Sequence, residues 1–285
     1  MNSQTTKIIQ WFLVPLLFLN LAAWVAFSKS RPDFLLHVDF LDVGQGDSIF
    51  IQTFQGNQIV IDGGPSDQVL GELGKVMPFY DRTIDLLILT HPDLDHVAGF
   101  TDVLKRYRVK KVLLTGVSAD TAAYKQFAEA LEKEKAEKIY AQVGQRVWLD
   151  SATVFDVYYP PPGIVEAKLK TNDTSVMGKL SFGKASVFFT GDVTDKVERQ
   201  LAAAGFNLDS DILKVAHHGS RFSSAEEFLS AVSPAYAIIE VGKNNYGHPT
   251  EEAMGRIQGA KAEILRTDQN GTVRFVSDGI NLYKK

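Results

Sequence analysis

In the stretch THPDLDHVAG the chain sets His91, Asp93, Asp95 and His96 at offsets 0, 2, 4 and 5, directly after the apolar run IDLLILT. Two imidazoles and two carboxylates packed this closely are the donor set of a metal site. The chain has no cysteine, so a transition metal would have to be held by histidine and carboxylate alone. The spacing predicts a geometry. His91 ends the strand, Pro92 stops it, an extended turn aims Asp93 and Asp95 the same way, and His96 opens a helix. One compact loop then supplies ligands to two ions.

Three further apolar runs discharge onto acids or imidazoles: IVIDGG onto Asp62, VFFTGD onto Asp192, and LKVAHHGS onto His217 and His218. Burying such groups is costly unless they are paired or coordinated, so four strand ends of this kind converging on one edge are best explained by metal ions. Taken singly, Asp62 and Asp192 read as turn residues and the adjacent histidines as a surface accident. Strand alternation sends His217 and His218 to opposite faces, and both stay candidates. His248, in NNYGHPT after the strand YAIIEVG, is a candidate to bind substrate or protonate a leaving group, with Ser220 and Asn244 weaker candidates of the same kind.

The elements that must position these residues alternate β-rich runs with helical stretches, and the second half repeats the organisation of the first. This predicts two sheets with helices outside both. At 285 residues, 45% hydrophobic and 22% charged, the composition is that of a globular protein with material for a core. The 30 Lys plus Arg against 34 Asp plus Glu lack the basic excess of a tight nucleic-acid binder, though weak contact stays open. Residues 8–27, IIQWFLVPLLFLNLAAWVAF, carry no charge and are long enough to span a bilayer, with Trp11 and Trp24 near the two ends. The expectation is a single-pass membrane anchor over residues 1–31 and a catalytic domain over 32–285 outside the cytosol. The alternative is a cleaved signal peptide, with Ala26 and Ser28 before the cut and the domain secreted.

THPDLDHVAG also resembles the first metal motif of the metallo-β-lactamase superfamily, His-x-His-x-Asp-His, with Asp93 in place of the second His. FLDVGQGDSIFI, IDGG, TNDTSVMGKLSFGKASVFFTGD, LKVAHHGS and YGHP together resemble the soluble metallo-hydrolase domain of the ComEC competence proteins, in order from about Leu36 to the C-terminus. The resemblance implies an α/β fold, a four-layer αββα sandwich with the site at one edge of the sheets. It implies that His91 and Asp93 bind one ion, Asp95 and His96 a second, and Asp192 both, with His217 or His218 completing the second site and Asp62 orienting ligands. Where zinc β-lactamases carry a third-motif histidine this chain has TNDTS, so Asn172, Asp173 and Ser175 are expected to bind substrate or order the loop. An oxygen-rich set of this kind suits two divalent ions, Zn²⁺ or Mn²⁺. The expected activity is hydrolysis of a phosphodiester, with single-stranded DNA as the candidate polymer. A lactamase or thioester hydrolase and a non-catalytic membrane-tethered binding module are the alternatives.

Overall fold

A computed structural model describes residues 11–21, 24, 33–78 and 80–285. The chain divides into two compact units, Met1–Asp33 and Phe34–Lys285. In the first, residues 11–21 are helical. Among the described residues no helix is long and apolar enough to cross a membrane, and the remainder of the expected span, including residues 8–10 and 25–27, lies outside them.

The second unit is built on two sheets. Its strands are β1 (Leu36–Phe40), β2 (Ile49–Gln52), β3 (Gln58–Ile61), β4 (Thr83–Ile88), β5 (Arg108–Leu114), β6 (Glu137–Tyr140), β7 (Arg146–Trp148) and β8 (Thr153–Tyr159). There follow β9 (Met177–Phe182), β10 (Ala185–Phe189), β11 (Ile212–Lys214), β12 (Tyr236–Ile239), β13 (Glu263–Arg266), β14 (Val273–Ser277) and β15 (Leu282–Lys284). One sheet has the order β15-β14-β1-β2-β3-β4-β5-β6, the other β13-β12-β11-β10-β9-β8-β7. The expected repetition of halves holds as far as β13. The chain then crosses back, and β14 pairs antiparallel with β1, Leu36 opposite Ser277.

Turn chemistry and periodicity account for the local structure. Around Gln55–Asn57 the β2–β3 connection closes through Thr53 N–H to Asn57 O (2.9 Å) and Gly56 N–H to Thr53 O (2.8 Å). Helix Ala122–Glu134 begins at Thr121, whose hydroxyl accepts from Tyr124 N–H. Its buried Phe127 and Leu131, four apart, face the first sheet while charged residues cover the other side.

Three apolar clusters separate four layers. Phe40, Phe155, Phe189 and Phe275 pack between the sheets, with Phe40 and Phe275 edge to face at 6.3 Å. A second cluster, including Phe100 and Phe127, lies between the first sheet and its helices. The third, including Phe188 and Phe228, does the same for the second sheet. Burying each such ring contributes about 1.5–3 kcal/mol. This is the αββα sandwich. Strands β3 and β4 run parallel, as do β10, β11 and β12, so within each sheet their C-terminal ends share an edge. Open α/β sheets place ligands at such edges.

Candidate metal centre

Every strand of that set ends at a titratable side chain. Asp62 follows β3, His91 lies just past β4, Asp192 past β10, His217 and His218 past β11, and Glu240 directly after β12. The loop after β4 differs from the predicted extended turn. Asp93 has extended backbone and is the N-cap of a short helix, Leu94–Val97, so Asp95 and His96 both project from a helical turn. Consecutive helical residues diverge by about 100°. Asp95 accordingly reaches His218, Oδ2 to Nε2 at 3.3 Å, while His96 turns inward. Close backbone approach seats this loop: Gly63 N–H donates to His96 O at 2.6 Å. A Cβ on Gly99 would sit 2.0 Å from the carbonyl oxygen of Gly63, so only glycine fits there.

The strand predicted through DILKVAHH stops at Lys214, and the paired histidines occupy a tight turn, Ala216–Gly219. Both take left-handed backbone, His217 at φ 51° and His218 at φ 52°, so strand alternation does not govern where they point. His218 is buried and its Nε2 lies 3.4 Å from Asp192 Oδ2. His217 turns toward the mouth, its ring 5.4 Å from that of His248 and its Nε2 3.4 Å from Asn172 Nδ2.

Hydrogen bonds fix the tautomers of three imidazoles. Asp62 accepts from the Thr90 amide at 2.8 Å and the Thr90 hydroxyl at 2.6 Å, and it lies 2.8 Å from His96 Nδ1. Because the Thr90 hydroxyl donates to Asp62, His91 Nδ1, 3.0 Å from Thr90 Oγ1, must donate to it. His218 Nδ1 donates to the carbonyl of Glu240 at 2.7 Å. All three rings therefore carry their proton on Nδ1 and present Nε2 to the same space. His91 Nε2 and His96 Nε2 are buried there without a hydrogen-bond partner, and Asp192 Oδ2 faces them, 3.3 Å from His96 Nε2. Metal-ligating histidines are oriented in this way, by a carboxylate, hydroxyl or carbonyl behind the ring. The donor set fits divalent metal.

Electrostatics agree with the fit. Burial, reinforced by the charge of His96, pulls His91 down to about 3, which leaves a neutral imidazole. Burial also opposes charge on His96 and His218, but Asp192 and the other carboxylates around them prevail and hold both well above the usual imidazole value. Asp192 is held well below the carboxylate range: burial raises it, and His218 and His96 outweigh the burial. The field that favours a proton on these Nε2 atoms equally favours a divalent cation in contact with them.

Donor atoms of Asp47, His96, Asp192 and His218 lie within 4.8 Å of one another. Asp47 nevertheless stands behind the rings, 3.7 Å from His96 Nδ1 and 3.3 Å from His218 Nδ1. It is also engaged by the buried Lys214 ammonium, which reaches Gly191 O at 3.2 Å and lies 3.6 Å from Asp192 Oδ1. Asp47 is thus placed to orient imidazoles rather than to bind an ion. Asp47, Lys214 and Glu240 were not among the expected site residues. The signals for the first two were an acid after paired glycines, VGQGDS, and a lysine inside the apolar strand DILKVA, and for the third an acid at the end of the apolar run YAIIE.

The remaining candidates divide. Asp93 lies at the rim, Oδ2 3.7 Å from His91 Nε2, with its side chain one-third exposed. Asp173 is spent on the loop, its Oδ1 accepting from the Thr194 amide (2.9 Å) and hydroxyl (2.8 Å). Ser175 donates to Asn172 O at 2.7 Å and accepts from Asp192 N–H at 3.1 Å, so it positions the acid. Ser220 is buried and closes the histidine turn, its amide donating to His217 O at 2.9 Å. Asn244 braces the loop that carries His248, and His248 and Asn172 stand with His217 at the mouth. Burial and the neighbouring His217 bring His248 down to about 4.

Residues 41–242 match the metallo-beta-lactamase superfamily. ComE operon protein 3 of Bacillus subtilis (strain 168) is 31% identical over 256 residues, 84% of this chain and 32% of that protein. Competence protein ComA of Neisseria gonorrhoeae is 29% identical over 266 residues, 92% of this chain and 36% of that protein. The chain therefore spans about a third of the length of these relatives. Among solved structures, the metallo-beta-lactamase fold protein YhfI from Bacillus subtilis superposes with a TM-score of 0.57 at 13% identity, over 85% of this chain and 99% of that one. At that identity the likeness carries the fold alone. The family match covers more than half of the sequence, so the chain belongs to the metallo-beta-lactamase superfamily.

Proposed function

We propose that this chain is a divalent-metal-dependent hydrolase of phosphodiesters, with single-stranded DNA as the candidate natural polymer. The observation that carries the hydrolytic reading is the convergence of His91, His96 and His218 Nε2 with Asp192 on one buried space, every Nδ1 already committed. His91 and Asp93 would hold one ion, Asp95, His96 and His218 the second, and Asp192 both. Two divalent ions, Zn²⁺ or Mn²⁺, would supply Lewis acidity there, lowering the pKa of water and offsetting charge on the substrate oxygens.

The chain's own groups do the rest. Asp62 and Thr90 keep His91 and His96 in the required tautomer, and Ser175 holds the backbone of Asp192. Asn172, His217 and His248 offer hydrogen bonds at the mouth, where a phosphoryl oxygen or leaving group would lie. TNDTS in place of a third-motif imidazole argues against a lactamase, and the likeness to competence proteins favours a nucleic-acid polymer. Attachment to a membrane through residues 8–27, with the catalytic domain outside the cytosol, belongs to the same proposal. Carbonate extraction and protease accessibility would test it.

The deciding experiment takes the full chain, stripped of metal and reloaded with Mn²⁺, Zn²⁺ or Mg²⁺, and assays bis-p-nitrophenyl phosphate, single-stranded DNA and nitrocefin. Phosphodiester cleavage is expected, falling more than about 100-fold in Asp192→Ala, beyond the range of a residue that only supports a ligand. Hydrolysis of nitrocefin alone would make the protein a lactamase. No hydrolysis with any metal would leave a binding module.

A further inference from the structure

The loop after β12 carries a tyrosine that the fold does not use. Tyr246 is 75% exposed, yet its loop is pinned. The Asn244 amide donates to Gly242 O at 2.9 Å and His248 O at 2.8 Å, and its carbonyl accepts from the amides of Tyr246 and His248, both at 3.1 Å. Two donors and two acceptances exhaust that side chain. The exposed ring is thereby presented on an ordered support.

It is also the outer member of a series of rings. Tyr246 lies against His248 with centroids 5.8 Å apart and planes 31° apart. His248 meets His217 at 5.4 Å, and His217 meets His218 at 6.2 Å. The series runs from solvent to an imidazole of the metal centre. A lone exposed aromatic is ordinary on a protein surface. This one is held in place, continuous with the mouth, and flanked by Lys243, Asn244 and Asn245 rather than by apolar residues. That setting fits a flat π-face with a polar, anionic backbone attached better than it fits an apolar protein surface or a lipid chain.

We propose that Tyr246, supported by His248, is a stacking platform for a nucleobase of the substrate, set so that the phosphodiester beside that base enters the metal centre. The inference rests on the phosphodiesterase reading and narrows it to strands whose bases are free to unstack. Base stacking on an aromatic ring changes affinity about 5- to 150-fold.

The test measures binding of five-nucleotide single strands to the metal-free full chain by fluorescence anisotropy, using DNA, RNA and an abasic backbone of the same length. Wild-type protein should prefer base-bearing strands to the abasic one. Tyr246→Ala should weaken the base-bearing strands about 5- to 150-fold and leave the abasic strand unchanged, while Tyr246→Phe keeps the preference. Comparison of the DNA and RNA arms identifies the sugar. Equal binding of abasic and base-bearing strands by wild type, or an equal loss of both in Tyr246→Ala, overturns the platform. The parent reading fails separately: metal-loaded wild type that prefers bases in binding but cleaves no strand would leave a platform without a phosphodiesterase.

Discussion

The two sheets support one centre by different means. Behind His91 and His96, on the first sheet, lies a hydrogen-bond relay: Asp62 collects the Thr90 amide, the Thr90 hydroxyl and His96 Nδ1, and the same hydroxyl receives His91 Nδ1. Behind Asp192 and His218, on the second sheet, stands a full charge, the ammonium of Lys214, fully buried with Asp47 of the first-sheet β1–β2 loop. Burial opposes ionisation of both groups, but each holds the other charged, Asp47 below its ordinary range and Lys214 above. The contrast separates two tasks. The relay decides which nitrogen of each imidazole faces the buried space, and the ion pair keeps Asp47 ionised there while joining the two sheets.

Removing the charge should cost most. Lys214→Met takes from the buried Asp47 its nearest counter-charge and from Asp192 one positive neighbour at 3.6 Å, and breaking one side of such a pair costs about 3–5 kcal/mol. Urea denaturation of the metal-free protein should show that loss, and adding Asp47→Asn should restore most of it. A Lys214→Met protein as stable as wild type would mean that the pair contributes nothing. On the other sheet, Thr90→Val should act on affinity more than on stability. It leaves His91 Nδ1 without an acceptor and takes one donor from Asp62, and loss of such outer support lowers metal affinity about 10–100-fold. Competition with a chromogenic chelator measures it. Equal effects of the two variants on both readouts would erase the proposed division of tasks.

The relay side was largely legible in the sequence because its candidate donors are nearly consecutive: four of them in six residues have no ordinary loop reading. The strand ends at Asp62 and Asp192 became legible once set beside it. Asp47 and Lys214 were not, since each is unremarkable alone. An aspartate after glycines reads as a turn, and a single lysine in a short strand reads as an edge position. Only the packing of one sheet on the other buries both and brings them together. The choice within the histidine pair was not legible for a local reason: strand alternation does not govern residues that sit in a left-handed turn beyond the strand. The return of β14 to the first sheet likewise depends on pairing with β1, more than two hundred residues earlier, which no local pattern encodes.

The finest test of the comparison lies between the two adjacent histidines. His218 has its Nδ1 fixed by the Glu240 carbonyl and its Nε2 between Asp95 and Asp192, whereas His217 has a buried Nδ1 without a partner and an Nε2 facing Asn172. Asparagine tolerates left-handed backbone better than most residues, so His217→Asn and His218→Asn remove the rings without forcing the turn open. His218→Asn should lose bound metal. His217→Asn should keep wild-type metal stoichiometry by elemental analysis and raise KM for a phosphodiester several-fold, the size expected for one lost hydrogen bond of about 1 kcal/mol at the mouth. If His217→Asn instead loses metal and His218→Asn keeps the wild-type content, the ligand is the other histidine, and the charged side of the centre reaches further out than its hydrogen bonds indicate.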